Sequence, residues 1–272
     1  MEETHSLFGW VASALDLELI LFFVAFIAGF FDAIAGGGGL ITIPALLLAG
    51  LDPMTAIATN KLQGAAGSIS ATASFARKSM IEWREGRFLV LLGFLGGLMG
   101  ALSVSYVNKQ VLEMCIPIFL VLVAIYFFIS PWIGCHTIRR PISVIVFSFS
   151  VAPLLGFYDG VFGPGVGSFY MVCFVLLCGL PVIRAVSFTK LANASSNIGA
   201  LLIFLTKGLI VWPIAISMAI GSILGAQLGA WAVVRFGSRM VRPMIVTVCC
   251  ALAIKLVLMP SNPLHIFVLT HL

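Results

Sequence analysis

Charged residues are scarce in this chain of 272 residues: they make up 9% of it, against roughly 25% in a soluble domain. Hydrophobic residues make up 61%. This balance excludes an ordinary water-soluble domain with one core. The apolar runs approach the ~20 residues that cross the hydrocarbon layer as a helix, and the ~10-residue alternating segments of a membrane barrel are absent. The sequence therefore predicts an all-α polytopic membrane protein.

The sequence also lacks the motifs of common enzyme classes. It has no His-Glu-x-x-His or Gly-x-Ser-x-Gly segment, and its six cysteines show no paired metal-ligand spacing. The net charge of +5 comes mainly from Arg and Lys in short loops, a distribution that orients membrane helices and does not form a basic face for nucleic acid. We expect no enzymatic activity, no metal, no cofactor and no nucleic-acid partner.

Two stretches of the chain resemble each other, in residues 29–62 and 156–191. The first carries Asp32, the glycines 36–39 and Lys61, and the second carries Asp159, Gly163-Pro164-Gly165 and Lys190. Further along, Gly96 and Gly100 match Gly221 and Gly225. A repeat of this length is typical of duplicated transporter folds.

The hydrophobic pattern predicts five helices in each half. In residues 1–133 they cover about 15–34, 40–49, 54–76, 88–107 and 111–129. In residues 134–272 they cover about 142–158, 168–178, 182–205, 209–234 and 240–258. Both halves form one transmembrane domain.

Loop charge predicts how the halves are oriented. If each glycine break lies within a single crossing, seven basic loop residues lie inside and five outside. If the chain enters and returns at each break, ten lie inside and two outside, which follows the positive-inside rule better. The sequence therefore predicts two inverted repeats, each with a broken or re-entrant first helix pair followed by three transmembrane helices. Both termini are then outside, in the periplasm if the membrane is a bacterial inner membrane.

Two lysines are the first candidates for a functional site. Lys61 and Lys190 lie ~12 Å from the starts of their predicted helices, where an unpaired charge costs from ~2.5 to more than ~10 kcal/mol. They either form structural pairs with Asp32 and Asp159, in an order the sequence leaves open, or attract an anionic substrate. Amides lie near both lysines and favour the substrate-binding interpretation: Asn60, Gln63, Asn193 and Asn197.

The glycine breaks are the second candidate. A helix that restarts after a break directs N–H groups and the positive end of its dipole at that break, which suits an anion. We expect Gly37, Gly38, Gly163 and Gly165 to take part in such a site, although a tight turn is the simpler alternative.

Small residues recur four apart on two later helices. They are Gly93, Gly96, Gly97 and Gly100 in the first half and Gly221, Gly225 and Gly229 in the second. Such faces pack closely against other helices, so they predict contacts either between the halves or between two copies in a homodimer.

The combined motifs resemble those of the TauE/SafE family of membrane transporters (TSUP), and within it the YfcA-like bacterial subgroup. The resemblance rests on Asp32–Gly39 with Thr42-Ile43-Pro44, on Ala58–Gln63, and on Gly156–Gly160 with Phe162-Gly163-Pro164. It implies transport of small anions across the inner membrane, with sulfite and organosulfur compounds such as sulfonates as the associated substrates, often as export.

The sequence thus predicts a secondary transporter for a small, sulfur-containing anion that works by alternating access. In this hypothesis Asp32 or Asp159 could exchange a proton or a sodium ion. Two alternatives stay open: an anion channel, and a membrane assembly or sensory subunit that binds a ligand without transporting it.

Overall fold

The computed structural model describes residues 14–104, 106 and 142–237, and every regular element in these ranges is a helix. In chain order the helices are α1 (Ala14–Ala35), α2 (Gly39–Leu48), α3 (Pro53–Arg77), α4 (Trp83–Val104), α5 (Val144–Ser150), α6 (Ala152–Val161), α7 (Val166–Leu176), α8 (Val182–Lys207) and α9 (Trp212–Phe236). The all-α prediction is confirmed. The helices predicted at 111–129 and 240–258, and both termini, lie outside the described residues.

Four of these helices are long and apolar enough to cross a membrane: α1, α4, α8 and α9. Together, α5 and α6 amount to a fifth candidate span that bends by 47°. The bend lies at Val151, inside the single helix predicted for 142–158. Pro153, in the first turn of α6, has no N–H to continue the hydrogen bonding of α5, which explains why the helix breaks there.

Local signals explain where several helices begin and end. The Asp52 side chain accepts a hydrogen bond from the Thr55 N–H at 3.4 Å, and Pro53 follows it at the first position of α3. α4 begins at Trp83, five residues before the predicted start, because Arg84, Glu85 and Arg87 form its first turn instead of a loop. The Glu85 carboxylate is favourable near that helix N-terminus.

The two halves pack against each other reciprocally. Helix α1 of the first half lies along α9 of the second half, and α6 of the second half lies along α4 of the first half. A Cβ added at Gly225 would collide with the Phe26 carbonyl, and one added at Gly96 would collide with the Pro153 carbonyl.

These contacts correct the expected alignment of the glycine faces by one turn. Gly100 contacts the Phe157 carbonyl and Gly229 contacts the Phe30 carbonyl, so Gly100 corresponds to Gly229 and not to Gly225. Gly93 and Gly97 face Ser195 and Ser196 of α8. The glycine faces are therefore filled inside one chain by the other half, and a second copy would have to use other surfaces.

Apolar clusters gather at the two ends of the helix bundle. At one end the starts of α1, α3 and α9 meet the end of α2, with Leu21, Ala56, Ile214 and Leu46 in contact as one cluster. At the other end, the ends of α3 and α9 meet the starts of α4, α5 and α8 in a larger cluster. This second end, called the basic end below, carries Arg77, Lys78, Arg84, Arg87, Arg184 and Arg235.

Candidate functional site

The two helix breaks meet in the middle of the bundle. Gly36 and Gly37 have φ of 79° and 88°, and Gly163 and Gly165 have φ of 88° and 78°, a region that only glycine adopts readily. The breaks contact each other directly, because the Ser168 hydroxyl donates to the Ala35 carbonyl at 3.0 Å. Glycine is therefore required both by the backbone conformation and by the close approach of the two segments.

Lysines and aspartates pair crosswise between the halves. Lys61 of α3 lies 2.7 Å from the Asp159 carboxylate of α6, and its ammonium also donates to the Asp159 backbone carbonyl. Lys190 of α8 lies 2.8 Å from the Asp32 carboxylate of α1. The sequence left the order of pairing open. The structure shows that each lysine takes the aspartate of the other half.

The two aspartates have different surroundings. Asp159 is 2% exposed at its side chain and accepts from the Lys61 ammonium, the Ser196 hydroxyl and the Asn197 amide. Asp32 is 22% exposed at its side chain. Its carboxylate accepts from Lys190 and from the Gly38 N–H, at 3.0 Å, where α2 begins. The pair that includes Asp159 is enclosed, whereas Asp32 stays accessible.

A cavity with about 30 Å³ accessible to the centres of water molecules lies beside these pairs. Its wall includes the predicted residues Asp32, Asp159, Asn60, Gln63, Asn193, Asn197, Gly37, Gly38, Gly163 and Gly165. Lys61 and Lys190 are not part of this wall. Both are fully buried, and each forms an ion pair with an aspartate that does line the wall.

Several wall residues escaped the sequence prediction, notably Ser68 and Ser222. Ser222 accepts a hydrogen bond from the Gln63 amide at 3.0 Å, which fixes that side chain at the wall. The sequence signal for Ser222 was a single hydroxyl among the small residues between Gly221 and Gly225. We did not predict it as a site residue because small residues on such a face are expected for helix packing alone.

Among the residues that the structure describes, two buried side-chain atoms have no hydrogen-bond partner: Thr189 Oγ1 and Asn193 Oδ1. Asn193 is 4% exposed and belongs to the cavity wall. An unpaired buried amide oxygen costs roughly 1–3 kcal/mol, so such atoms normally have a partner in the protein, a water molecule or a ligand. The cavity wall therefore offers an acceptor for a group that the chain itself does not supply.

The described helices hold no group of three or more His, Cys, Asp or Glu that could bind a metal ion. The donors and acceptors around the cavity are amides, hydroxyls, backbone N–H groups and two ion pairs. This combination suits a small polar or charged molecule held in the middle of a bundle of membrane-length helices.

Comparison with known proteins gives the class of this protein. The model of the family described as "Sulfite exporter TauE/SafE" matches residues 21–256. The chain therefore belongs to the TauE/SafE family, which is a family of membrane transporters and not of enzymes.

Individual relatives of the chain are also named as membrane transporters. A probable membrane transporter protein of Sinorhizobium sp is 44% identical over 254 residues, covering 93% of this chain and 97% of the relative. The probable membrane transporter protein YfcA of Escherichia coli K12 is 44% identical over 256 residues, 94% of each chain. A probable membrane transporter protein of Haemophilus influenzae is 40% identical over 243 residues, covering 89% of this chain and 95% of the relative. No solved structure matches this chain significantly.

Proposed function

We propose that this protein is a secondary transporter that moves a small anion, such as sulfite or a sulfonate, across the bacterial inner membrane by alternating access. The observation that carries the proposal is the central cavity at which both helix breaks and both aspartates of the crossed ion pairs meet. Proteins with broken helices bind their cargo at such a point, near the middle of the membrane.

The wall of the cavity supports an anionic cargo. The break before α2 presents backbone N–H groups and the positive end of a helix dipole to the cavity. Buried ammonium groups lie directly behind the aspartates. With both pairs ionised the four charges sum to zero, so an anion needs a change in one pair to gain a net attraction. In this proposal one of the two lysines, Lys61 or Lys190, supplies that attraction when its pair opens, and Asn60, Gln63, Asn193 and Asn197 orient the cargo.

We further propose that the two halves are inverted repeats. Helices α1 and α9 run in the same direction, because Gly221, Gly225 and Gly229 meet Phe22, Phe26 and Phe30 in that order. The starts of α1 and α3 and the end of α2 lie at the end of the bundle opposite the basic end. Their counterparts in the second half, the starts of α5 and α8 and the end of α7, lie at the basic end.

Charge supports the orientation. Six Arg and Lys residues of the described ranges lie at the basic end, and one, Lys207, lies at the opposite end. The positive-inside rule places the basic end in the cytoplasm, which puts the start of α1 outside. Single cysteines at Arg84 and Lys207, in a chain whose six native cysteines are replaced by alanine, test this arrangement. An impermeant maleimide on intact cells should label Lys207→Cys and spare Arg84→Cys; the reverse pattern would overturn the orientation.

Transport by the purified chain tests the function itself. Proteoliposomes should take up sulfite or methanesulfonate with saturable kinetics, and ligand binding should raise the unfolding temperature because the folded state is stabilised by mass action. Export is tested with inside-out vesicles, in which an exporter accumulates the anion. Uptake that never saturates would indicate a channel. Binding without uptake would indicate a sensory or assembly subunit.

A further inference from the structure

Asp32 occupies the position that an anionic cargo would be expected to take. Its carboxylate uses the two donors best suited to an anion: the Lys190 ammonium at 2.8 Å and the Gly38 N–H at 3.0 Å, at the start of α2. It lies on the wall of the cavity, whereas Lys190 is 1% exposed at its side chain and lies behind it. An anion entering from the cavity meets the Asp32 carboxylate before it reaches the ammonium.

Sequence differences between the halves explain why Asp32, and not Asp159, is the accessible acid. The offset that relates Lys61 to Lys190 also relates Gly67 to Ser196 and Ser68 to Asn197. Ser196 and Asn197 both donate to Asp159. Their counterparts cannot serve Asp32 in the same way. Gly67 has no side chain, and the Ser68 hydroxyl donates to the Gly64 carbonyl at 2.6 Å.

The charged and titratable groups around Asp32 are few. On helices packed against α1, Lys190 of α8 is its partner, and Lys61 of α3 is taken up by Asp159. Helix α7 contributes Tyr170, whose hydroxyl donates to the Ala152 carbonyl, and Cys173. Helix α2 contributes none, and the remaining charges on α3, α8 and α9 stand in first or last turns: Arg77, Arg184, Lys207 and Arg235. None of these helices carries a carboxylate that could replace Asp32 as the partner of Lys190 if Asp32 lost its charge.

We propose that Asp32 is a tethered competitor of the cargo and the proton carrier of the transporter. Protonation of its carboxylate withdraws the internal anion and releases the Lys190 ammonium and the Gly38 N–H to the cargo. One proton on Asp32 and one monovalent anion on Lys190 then cross together, and both leave on the other side, where the Asp32–Lys190 pair forms again. Lys190 stays an ammonium throughout, and the Lys61–Asp159 pair stays closed. This inference rests on the proposed function.

A proton fits this role better than a sodium ion. A metal cation bound to the Asp32 carboxylate would lie within a few ångströms of the Lys190 ammonium, where like charges repel strongly in a poorly solvated interior. A proton neutralises the carboxylate without adding a second cation. The cycle is electroneutral for a monovalent cargo.

The test uses purified full-length protein in liposomes and methanesulfonate, whose sulfonate group does not titrate near neutral pH. In the wild type, one proton should enter with each methanesulfonate, measured with a trapped pH dye, and a clamped membrane potential should not change the rate. Because binding takes up one proton, the apparent affinity for methanesulfonate should weaken by up to about tenfold for each unit by which the pH rises. Asp32→Asn mimics the protonated acid and should lose proton movement. Its apparent affinity for methanesulfonate should change by less than about twofold per pH unit. It should still exchange labelled for unlabelled methanesulfonate.

Two variants serve as controls. Glu82→Gln makes the same carboxylate-to-amide change in an exposed pair with Arg184 and should behave as the wild type. Asp32→Glu keeps the titrating group and should keep proton movement. Because Asp32→Asn could fail to fold, the wild-type proton count and Asp32→Glu carry the test independently. Methanesulfonate uptake without protons, or undiminished proton coupling in Asp32→Asn, would overturn the inference alone. No uptake of any sulfur oxyanion or sulfonate by the wild type would overturn the proposed function as well.

Discussion

Removing either partner of the Lys61–Asp159 pair is expected to destabilise the fold strongly. Lys61 is fully buried, and Asp159 holds its ammonium through both the carboxylate at 2.7 Å and the backbone carbonyl. Removing one partner of such a pair leaves a buried charge without compensation, which costs about 3–5 kcal/mol. Asp159→Asn and Lys61→Met should each be destabilised by this amount.

The double variant Lys61→Met/Asp159→Asn should recover most of that loss. It leaves no unpaired buried charge at this position, and Ser196 and Asn197 keep their hydrogen bonds to the Asn193 carbonyl. Replacing a buried ion pair by groups of similar volume is often nearly neutral, so the double variant should lie within about 1–3 kcal/mol of the wild type.

Thermal unfolding in detergent measures these differences. With about 2–4 °C per kcal/mol, each single variant should unfold roughly 6–20 °C below the wild type. Glu82→Gln, in a pair whose partners are 34% and 55% exposed, should shift by less than about 4 °C because a surface pair contributes about 0–1 kcal/mol. The reasoning is refuted if the single variants unfold with the wild type, or if the double variant is as unstable as the sum of the two.

Two glycine substitutions test the packing around the site. Gly38→Ala would place a Cβ 2.8 Å from the Asp32 Cβ, and the φ of −51° at this position suits alanine. The variant should therefore displace Asp32 and slow transport. Gly39→Ala, whose Cβ meets nothing nearer than 3.4 Å, should retain wild-type stability. Equal transport rates in wild type and Gly38→Ala would contradict this position for Asp32. Gly225→Ala should separate α9 from the Phe26 carbonyl of α1 and cost about 1–3 kcal/mol in thermal unfolding, as overpacking does, whereas exposed Leu224→Ala should cost far less. Wild-type unfolding of Gly225→Ala would show that these helices are not in such close contact.

Local sequence properties are sufficient to predict the kind of protein and the approximate place of its site. Composition excluded a soluble domain, and hydrophobic run lengths predicted the helices, because both properties depend only on local residues. The repeated Asp, glycine break and Lys marked the polar segments, and ten predicted site residues do lie on the wall of one cavity. The motifs also identified the family, which comparison confirmed. Binding of a cargo by these residues stays a prediction.

Which lysine pairs with which aspartate depends on the fold. The crossed pairing of Lys61 with Asp159 and Lys190 with Asp32 depends on how the fold brings α3 to Asp159 of α6 and α8 to Asp32 of α1, which no local pattern encodes. The same is true of the one-turn shift between the glycine faces, since the register of two packed helices is set by contacts between distant segments. The two aspartates, which stand in similar motifs, differ in exposure because the fold places different residues of α3 and α8 beside them. Ser196 and Asn197 enclose Asp159, and the bare Gly67 and the inward-bonded Ser68 leave Asp32 open to the cavity.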